Sequence, residues 1–145
     1  MATKIPFKTF KKIYSQVPRL CVELLVVCPD GVVLTKRDIE PAKGQWHMPG
    51  GTVLMGETLH QAITRVMKEE LGIAVSIKKQ IGVIEYLKFK GYFGHPVAIE
   101  YLVTTTKRTF MVDRQASEVG VFKNIPKNTI KEQALFLKQH ASLYA

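Results

Sequence analysis

The sequence predicts an α/β fold in which a mixed β-sheet lies between helices, an α/β/α sandwich. Short apolar runs bounded by turn residues alternate with segments of helical spacing, and together they give the order α, β, β, α, β, β, β, β, α. The chain has 145 residues, of which 46% are hydrophobic, enough for one domain with a core of its own. We therefore expect a single domain over residues 1–145.

The first third of the chain predicts a helix followed by a β-hairpin. Residues 5–17 carry apolar side chains at helical spacing, so residues 1–18 are expected to form a helical extension. Residues 20–28 are a nearly continuous apolar run, typical of a buried strand. The Pro-Asp-Gly turn at 29–31 then leads into a second strand that begins at Val32.

The strongest local pattern predicts a central helix between Thr58 and Gly72. Thr58 with Gln61 three residues later is a capping box, and Gly72 is a typical C-terminal stop. The apolar positions between them follow the spacing of one buried face: Leu59, Ala62, Ile63, Val66 and Met67. This segment is therefore expected to pack as an amphipathic helix.

The remaining elements are four strands and a C-terminal helix. Apolar and β-branched runs predict strands over residues 73–77, 82–89, 97–105 and 120–122. Asn128 is predicted as the N-cap of a last helix whose apolar face repeats at helical spacing.

The net charge favours anionic partners. Lysines and arginines exceed acidic residues by nine, and the isoelectric point is near 9.6. No recognition helix, zinc pattern or aromatic RNA-binding motif accompanies this charge, so a phosphorylated small molecule is favoured over nucleic acid. The longest apolar run, Leu24 to Cys28, is too short for a membrane span, and no signal peptide is predicted.

The two cysteines predict a reducing compartment. Cys21 and Cys28 lie on one predicted strand, too far apart along it to form a disulfide with each other. Unpaired thiols that read as small core residues are typical of a cytoplasmic protein.

Two adjacent carboxylates at the end of the central helix predict a cation site. Glu69 and Glu70 sit at the negative end of the helix dipole, where an anion is disfavoured by roughly 0.3–1 kcal/mol. Glu70 also falls near the middle of the apolar face. Carboxylate oxygens on one helical turn suit Mg²⁺ or Mn²⁺. We therefore expect a divalent cation there, with Glu57 as an added ligand or an orienting group.

This segment resembles the Nudix hydrolase box, G-x5-E-x7-R-E-U-x-E-E-x-G-U, in which U is a bulky aliphatic residue. The matching positions are Gly51, Glu57, Arg65, Met67, Glu69, Glu70, Gly72 and Ile73, and Val66 stands where the box has Glu. The resemblance implies the Nudix α/β/α sandwich and a hydrolase dependent on Mg²⁺ or Mn²⁺. It further implies that Arg65 fixes the glutamates in the catalytic centre, and that a backbone carbonyl near Gly50 joins Glu69 and Glu70 around the metal.

A second resemblance covers residues 10–51 and points to one branch of that family. The Lys36-Arg37 pair and the Gly-x-Trp-x-x-Pro-Gly-Gly run resemble the GDP-mannose mannosyl hydrolases, which also carry an aliphatic residue where Val66 stands. Those enzymes cleave the sugar–phosphate bond at the anomeric carbon. By this resemblance Arg37 contacts the diphosphate, Glu23 lies near the sugar, and Gln115 is a metal ligand.

The chain departs from that branch at two positions. Thr52 replaces an arginine, and Ala116 replaces the histidine that the branch uses as general base. We predict Glu118 as the replacement base, with Asp113 and His95 as alternatives.

Three functions are considered, of which the first is our prediction and the other two are alternatives. The first is a metal-dependent hydrolase of a nucleoside diphosphate linked to another group, most naturally a nucleotide sugar resembling GDP-mannose. The second is an ordinary Nudix pyrophosphohydrolase of nucleoside triphosphates, dinucleotides or ADP-ribose. The third is an inactive Nudix module that binds a nucleotide or a protein. Self-association as a homodimer also stays open.

Overall fold

The computed structural model describes residues 2–87, 92–112 and 114–145. Its elements, in chain order, are α1 (Phe7–Tyr14), β1 (Arg19–Cys28), β2 (Gly31–Arg37), β3 (Trp46–His47), β4 (Gly50–Thr52), α2 (Leu59–Leu71), β5 (Ser76–Glu85), β6 (Pro96–Thr104), β7 (Ala116–Phe122), α3 (Lys131–Gln139) and a 3₁₀ turn (Ala141–Leu143). Among these residues no helix is long and apolar enough to cross a membrane.

The strands form one mixed sheet, as the sequence predicts. Its main path runs β3-β2-β1-β6-β5, with β4 paired to β1 and β7 paired to β2. Strands β1 and β6 are parallel, and the other pairs are antiparallel. The predicted hairpin is present as β1 and β2.

Strand β1 is buried on both faces because helices cover the sheet from both sides. Val22, Leu24 and Val26 pack in a cluster with the apolar face of α2. Cys21 and Leu25 point the other way, into a cluster with α3. Successive side chains of a strand alternate between faces, so one apolar run serves both layers. The α/β/α sandwich is confirmed.

Helix α2 begins and ends where the sequence predicts. The Thr58 hydroxyl accepts from the Gln61 backbone N–H, and the Gln61 side chain accepts from the Thr58 N–H. Gly72 closes the helix in the left-handed conformation at φ 69°. A Cβ there would be strained, which explains the glycine.

The structure corrects several predicted elements. Residues 76–85 form one strand, where the sequence predicts the end of one strand and the start of another, and the pairing of this strand with β6 is irregular between residues 77 and 82. The end of the strand predicted over 82–89 lies outside the described residues. Asn128 is not a helix cap: its Nδ2 donates to the Gly44 carbonyl at 2.6 Å, and α3 follows Ile130. Strands β3 and β4 were not predicted, since each has only two or three residues.

Candidate active site

An open cavity of about 1120 Å³ lies where β4, the C-terminal half of α2 and the first residues of the chain meet. It brings together seven residues singled out from the sequence: Glu23, Arg37, Gly50, Arg65, Glu69, Glu70 and Gln115. Val66 and Ala116 also line it. Residues distant in sequence therefore converge on one cavity.

Arg65 is held rigidly beneath the helix carboxylates. Its Nε and Nη2 donate to the two oxygens of Glu57 at 2.7 and 2.9 Å, and Nη2 also donates to the Thr52 carbonyl at 2.8 Å. Its Nη1 donates to Glu69 at 3.0 Å. The guanidinium lowers the pKa of the Glu57 carboxyl, which also accepts from the Leu54 N–H. This bidentate arrangement fixes Arg65 in the orientation that meets Glu69.

The two helix carboxylates differ in exposure. The Glu69 side chain is 39% exposed, whereas Glu70 is half-buried. The predicted Arg65–Glu69 pair is thus present, and Glu70 turns further toward the apolar layer, as its place on the helix predicts.

The backbone at Gly50 and Gly51 lies against both β1 and α2. A Cβ on Gly50 would come within 2.7 Å of the Val22 carbonyl and 2.8 Å of Glu23 Cγ. A Cβ on Gly51 would lie 3.0 Å from the Val66 side chain. Glycine is therefore required at position 50 for the peptide chain to approach β1 this closely.

Val66 belongs to the hydrophobic core. It is 2% exposed and packs in the cluster beneath Gly51 with Val22 and Met67. The position where the Nudix box has Glu is therefore an apolar support for the glycine backbone, and it supplies no proton acceptor.

Arg37 ends β2 and faces the cavity. Its Nε donates to the Pro41 carbonyl at 2.5 Å, and Nη2 lies 3.4 Å from the Glu40 carbonyl. Burial lowers the pKa of this guanidinium, while the nearby charge of Glu70 acts in the opposite direction. A partly desolvated, anchored guanidinium is well suited to bind an anion.

Glu23, which lines the cavity, forms a carboxyl pair with Glu100, a residue that sequence reasoning missed. Glu23 and Glu100 are register partners on the parallel strands β1 and β6. Glu100 is fully buried, and burial together with the Glu23 charge raises its pKa to about 11. Glu100 therefore holds its proton at neutral pH and places no second negative charge beside Glu23; within the described residues, neither of its carboxyl oxygens has a hydrogen-bond partner.

Two hydrogen-bond donors orient Glu23. The Tyr86 hydroxyl donates to its Oε1 at 2.6 Å, and Gln133 Nε2 donates to its Oε2 at 3.1 Å. Burial still raises the pKa of Glu23 above its usual value. The sequence signal that could have found this network is Glu100 itself, a carboxyl in the middle of an apolar strand.

His47 lies in β3 and lines the cavity. Its Nδ1 is 2.7 Å from the Met48 carbonyl, and its Nε2 is 3.0 Å from the Thr35 hydroxyl. A carbonyl only accepts, so Nδ1 carries the proton and Nε2 accepts from Thr35. Burial lowers the pKa of His47 to about 4, so the ring is neutral and both nitrogens are engaged.

The structure argues against the predicted base Glu118. Glu118 is the register partner of Lys36 and lies 3.3 Å from its Nζ, whereas the next pair is Arg37 with Ala116. The bulge skips Ser117, so Glu118 shares a face with Lys36, opposite the face from which Arg37 reaches the cavity. Glu118 is exposed and does not line the cavity.

Of the two alternative bases, the structure describes His95 alone. His95 lines a separate small cavity of about 250 Å³ beside the end of α1, with its ring Nε2 buried. Asp113 lies outside the described residues. Within the cavity, the Glu23 carboxyl accepts hydrogen bonds on both of its oxygens.

The metal ligands predicted from sequence are carboxylate and carbonyl oxygens. Within the described ranges, no group of three or more histidine, cysteine, aspartate or glutamate side chains is arranged to hold a metal. Glu69 and Glu70 fit Mg²⁺ or Mn²⁺ if backbone and amide oxygens complete the set, because these ions take oxygen ligands and retain water. Gly50 and Gln115, which carry such oxygens, line the same cavity.

Comparison with known proteins decides the family. The NUDIX domain model matches residues 17–140. The chain belongs to the Nudix hydrolase family. Nudix hydrolases act on nucleoside diphosphates linked to another group and generally use divalent cations.

Two curated relatives cover most of this Nudix hydrolase. The low-salt glycan biosynthesis protein Agl8 of Haloferax volcanii is 36% identical over 126 residues, 83% of this chain and 81% of that protein. An ADP-ribose pyrophosphatase of Methanocaldococcus jannaschii is 30% identical over 112 residues, 76% of this chain and 66% of that protein. Among solved structures, a MutT NUDIX hydrolase from Burkholderia pseudomallei has a TM-score of 0.76 at 27% identity and covers 85% of this chain and 98% of its own.

Proposed function

We propose that this Nudix hydrolase cleaves a nucleotide sugar between the sugar and the diphosphate, with Mg²⁺ or Mn²⁺ as its cofactor. The observation that carries the proposal is the content of one cavity. It holds the helix carboxylates Glu69 and Glu70, the guanidinium of Arg37, and the oriented carboxyl of Glu23. These are groups that would bind a metal, a diphosphate and a sugar hydroxyl or water, respectively.

The proposed metal site uses four ligands predicted from the sequence. Glu69 and Glu70 would supply carboxylates, Gly50 a backbone carbonyl and Gln115 a side-chain amide oxygen. A divalent cation there would offset the charge of the diphosphate and stabilise it as a leaving group. A solved structure of similar fold, a bifunctional enzyme of Francisella tularensis, was determined with AMP and a manganese ion, at a TM-score of 0.70 and 18% identity.

Arg37 is the proposed diphosphate ligand. Its guanidinium is anchored on the carbonyls of Pro41 and Glu40, which leaves part of the planar fork to face the cavity. A planar fork matches two phosphate oxygens better than an ammonium group does. Because Arg37 is partly buried, its charge acts on a phosphate with less screening by solvent.

Glu23 is the proposed proton acceptor at the sugar. Glu118 does not line the cavity, and Val66 is apolar. Glu23 lines the cavity and has a hydrogen-bond donor on each of its two oxygens. General-base catalysis requires a carboxylate held within hydrogen-bond reach of its water. The hydrogen bonds from Tyr86 and Gln133 provide that orientation.

Two observations favour a nucleotide sugar over other diphosphates. Val66 packs in the core beneath Gly51. The aliphatic residue at this position, which the mannosyl hydrolase branch shares, therefore supports the glycine backbone in this protein. The relative from Haloferax volcanii takes part in glycan biosynthesis, a process that uses activated sugars.

The test is incubation with GDP-mannose, UDP-glucose, ADP-ribose and GTP in the presence of Mg²⁺, with products identified by phosphorus NMR. A nucleoside diphosphate and free sugar are expected, and Glu23→Gln should lower the rate by about 10²–10⁴-fold. Nucleoside monophosphate and sugar phosphate as products would instead support a pyrophosphohydrolase. The similarity to the Methanocaldococcus enzyme is the observation that favours this second candidate. Binding without turnover would support an inactive module.

The proposed compartment is the reducing cytoplasm. Cys21 and Cys28 are both free and buried, as expected where thiols are kept reduced.

A further inference from the structure

The N-terminal arm, residues 2–6, forms one wall of the cavity and brings a lysine to the helix carboxylates. Thr3, Lys4 and Ile5 line the cavity ahead of α1. Lys4 Nζ lies 3.0 Å from Glu69 Oε1, and the lysine side chain is 65% exposed. Lys4 thus neutralises the carboxylate that the proposed function assigns to a divalent cation.

Glu69 is contacted by two cations, and they differ in how firmly they are held. Arg65 is fixed by Glu57 and the Thr52 carbonyl, so it cannot move without breaking three hydrogen bonds. In the described part of the chain, Glu69 is the one carboxylate in ion-pair contact with Lys4. An exposed ion pair is weak and a lysine stem is flexible, so Lys4 can change partner at little cost.

The arm leads into helix α1, which is anchored beside the cavity. The Phe10 ring lies 5.3 Å from the Arg19 guanidinium and 6.2 Å from the Phe93 ring. Arg19 in turn donates to the Thr52 hydroxyl at 2.7 Å. Helix α1 is therefore tied to β1 and β4, and Lys4, two residues before Pro6, remains at the cavity mouth when it exchanges partners.

We propose that Lys4 is a counter-ion that changes partner during binding: it neutralises Glu69 in the metal-free protein and contacts the substrate diphosphate once a divalent cation occupies Glu69. The inference rests on the proposed function in so far as Glu69 binds the metal. A cation bound at Glu69 repels the nearby ammonium, and a diphosphate beside that cation attracts it. The lysine therefore has opposite effects on the two ligands.

The test compares Lys4→Met with Lys8→Met. Methionine keeps much of the apolar stem and removes the charge. Lys8 is an exposed lysine of α1 that does not line the cavity, so it controls for the loss of one positive charge. Mn²⁺ affinity is measured by electron paramagnetic resonance without nucleotide, and GDP affinity by calorimetry with saturating Mg²⁺.

Lys4→Met should bind Mn²⁺ about two- to fivefold more tightly than the wild type and GDP about two- to fivefold more weakly, the range expected for exposed ion pairs. Lys8→Met should change neither by as much as twofold. Mn²⁺ binding that Lys4→Met leaves unchanged, or a shift of both affinities in one direction, would overturn the inference and leave the metal site standing. Failure of the wild type to bind Mn²⁺ would overturn the proposed metal site and this inference with it.

Discussion

Glu23 and Glu100 face each other from the parallel strands β1 and β6, and the pair retains a proton in the folded protein. Glu100 is fully buried, and its pKa is raised to about 11 from an ordinary value of 4.5. Glu23 is the partner that lines the cavity, and it accepts hydrogen bonds from Tyr86 and Gln133. The neutral Glu100 therefore places no second negative charge beside the carboxyl that we propose to act on substrate.

This pair predicts a pH-dependent stability. Between pH 4.5 and about 11 the folded protein holds a proton on Glu100 that the unfolded chain has released, so stability falls as pH rises through that window. Glu100→Gln carries no titrating proton and should show a shallower fall. Urea unfolding of both proteins without metal at pH 6 and pH 9 measures the free energy of unfolding at each pH. An equal change in that free energy between the two pH values for the wild type and Glu100→Gln would contradict the buried neutral carboxyl.

Glu118→Gln should leave turnover within about twofold of the wild type. Glu118 is exposed and paired with Lys36 outside the cavity, and exposed pairs contribute at most about 1 kcal/mol to stability. Steady-state hydrolysis of GDP-mannose by Glu118→Gln and Glu23→Gln, measured side by side, separates the two carboxyls. A fall of about 100-fold or more for Glu118→Gln would restore it as the base.

Val66→Glu should destabilise the metal-free protein by about 1–3 kcal/mol and give little gain on any substrate. The new carboxyl would enter a core position that is 2% exposed, beside Glu70 one turn later, without a partner there. Thr64→Glu, on the exposed face of the same helix, is the control for adding a charge. Strong pyrophosphate cleavage by Val66→Glu would show a disabled ordinary Nudix enzyme.

Glu70→Gln should lose metal-dependent turnover by orders of magnitude and melt no lower than the wild type without metal. The substitution removes a half-buried negative charge from the C-terminal end of α2, where the helix dipole disfavours it. Thermal unfolding and hydrolysis assays with and without Mg²⁺ measure both effects. A fully active variant would remove Glu70 from the metal site.

The sequence predicted the elements whose capping residues and apolar spacing all lie within a short segment of the chain. Helix α2 follows from Thr58, Gln61 and Gly72, since caps and periodicity act within a few residues. The short strands β3 and β4 could not be predicted in this way, because their pairing partners β2 and β1 lie earlier in the chain.

The same difference between local and long-range signals applies to the site. The box residues on α2 could be predicted because their spacing is local. Arg37 and Gln115 were predicted from the resemblance to the mannosyl hydrolase branch. The Glu23–Glu100 pair depends on the parallel register of β1 and β6, and the position of Glu118 depends on the bulge at Ser117. Long-range pairing and a one-residue register shift leave no mark in the spacing of a single sequence.

The position of bond cleavage tests the central proposal most directly. Hydrolysis of GDP-mannose in ¹⁸O-labelled water with Mg²⁺, followed by mass spectrometry of the products, shows which atom the water attacks. Attack at the anomeric carbon predicts ¹⁸O in free mannose and unlabelled GDP. Label in GDP, in GMP or in mannose 1-phosphate would show attack at phosphorus and contradict the proposal.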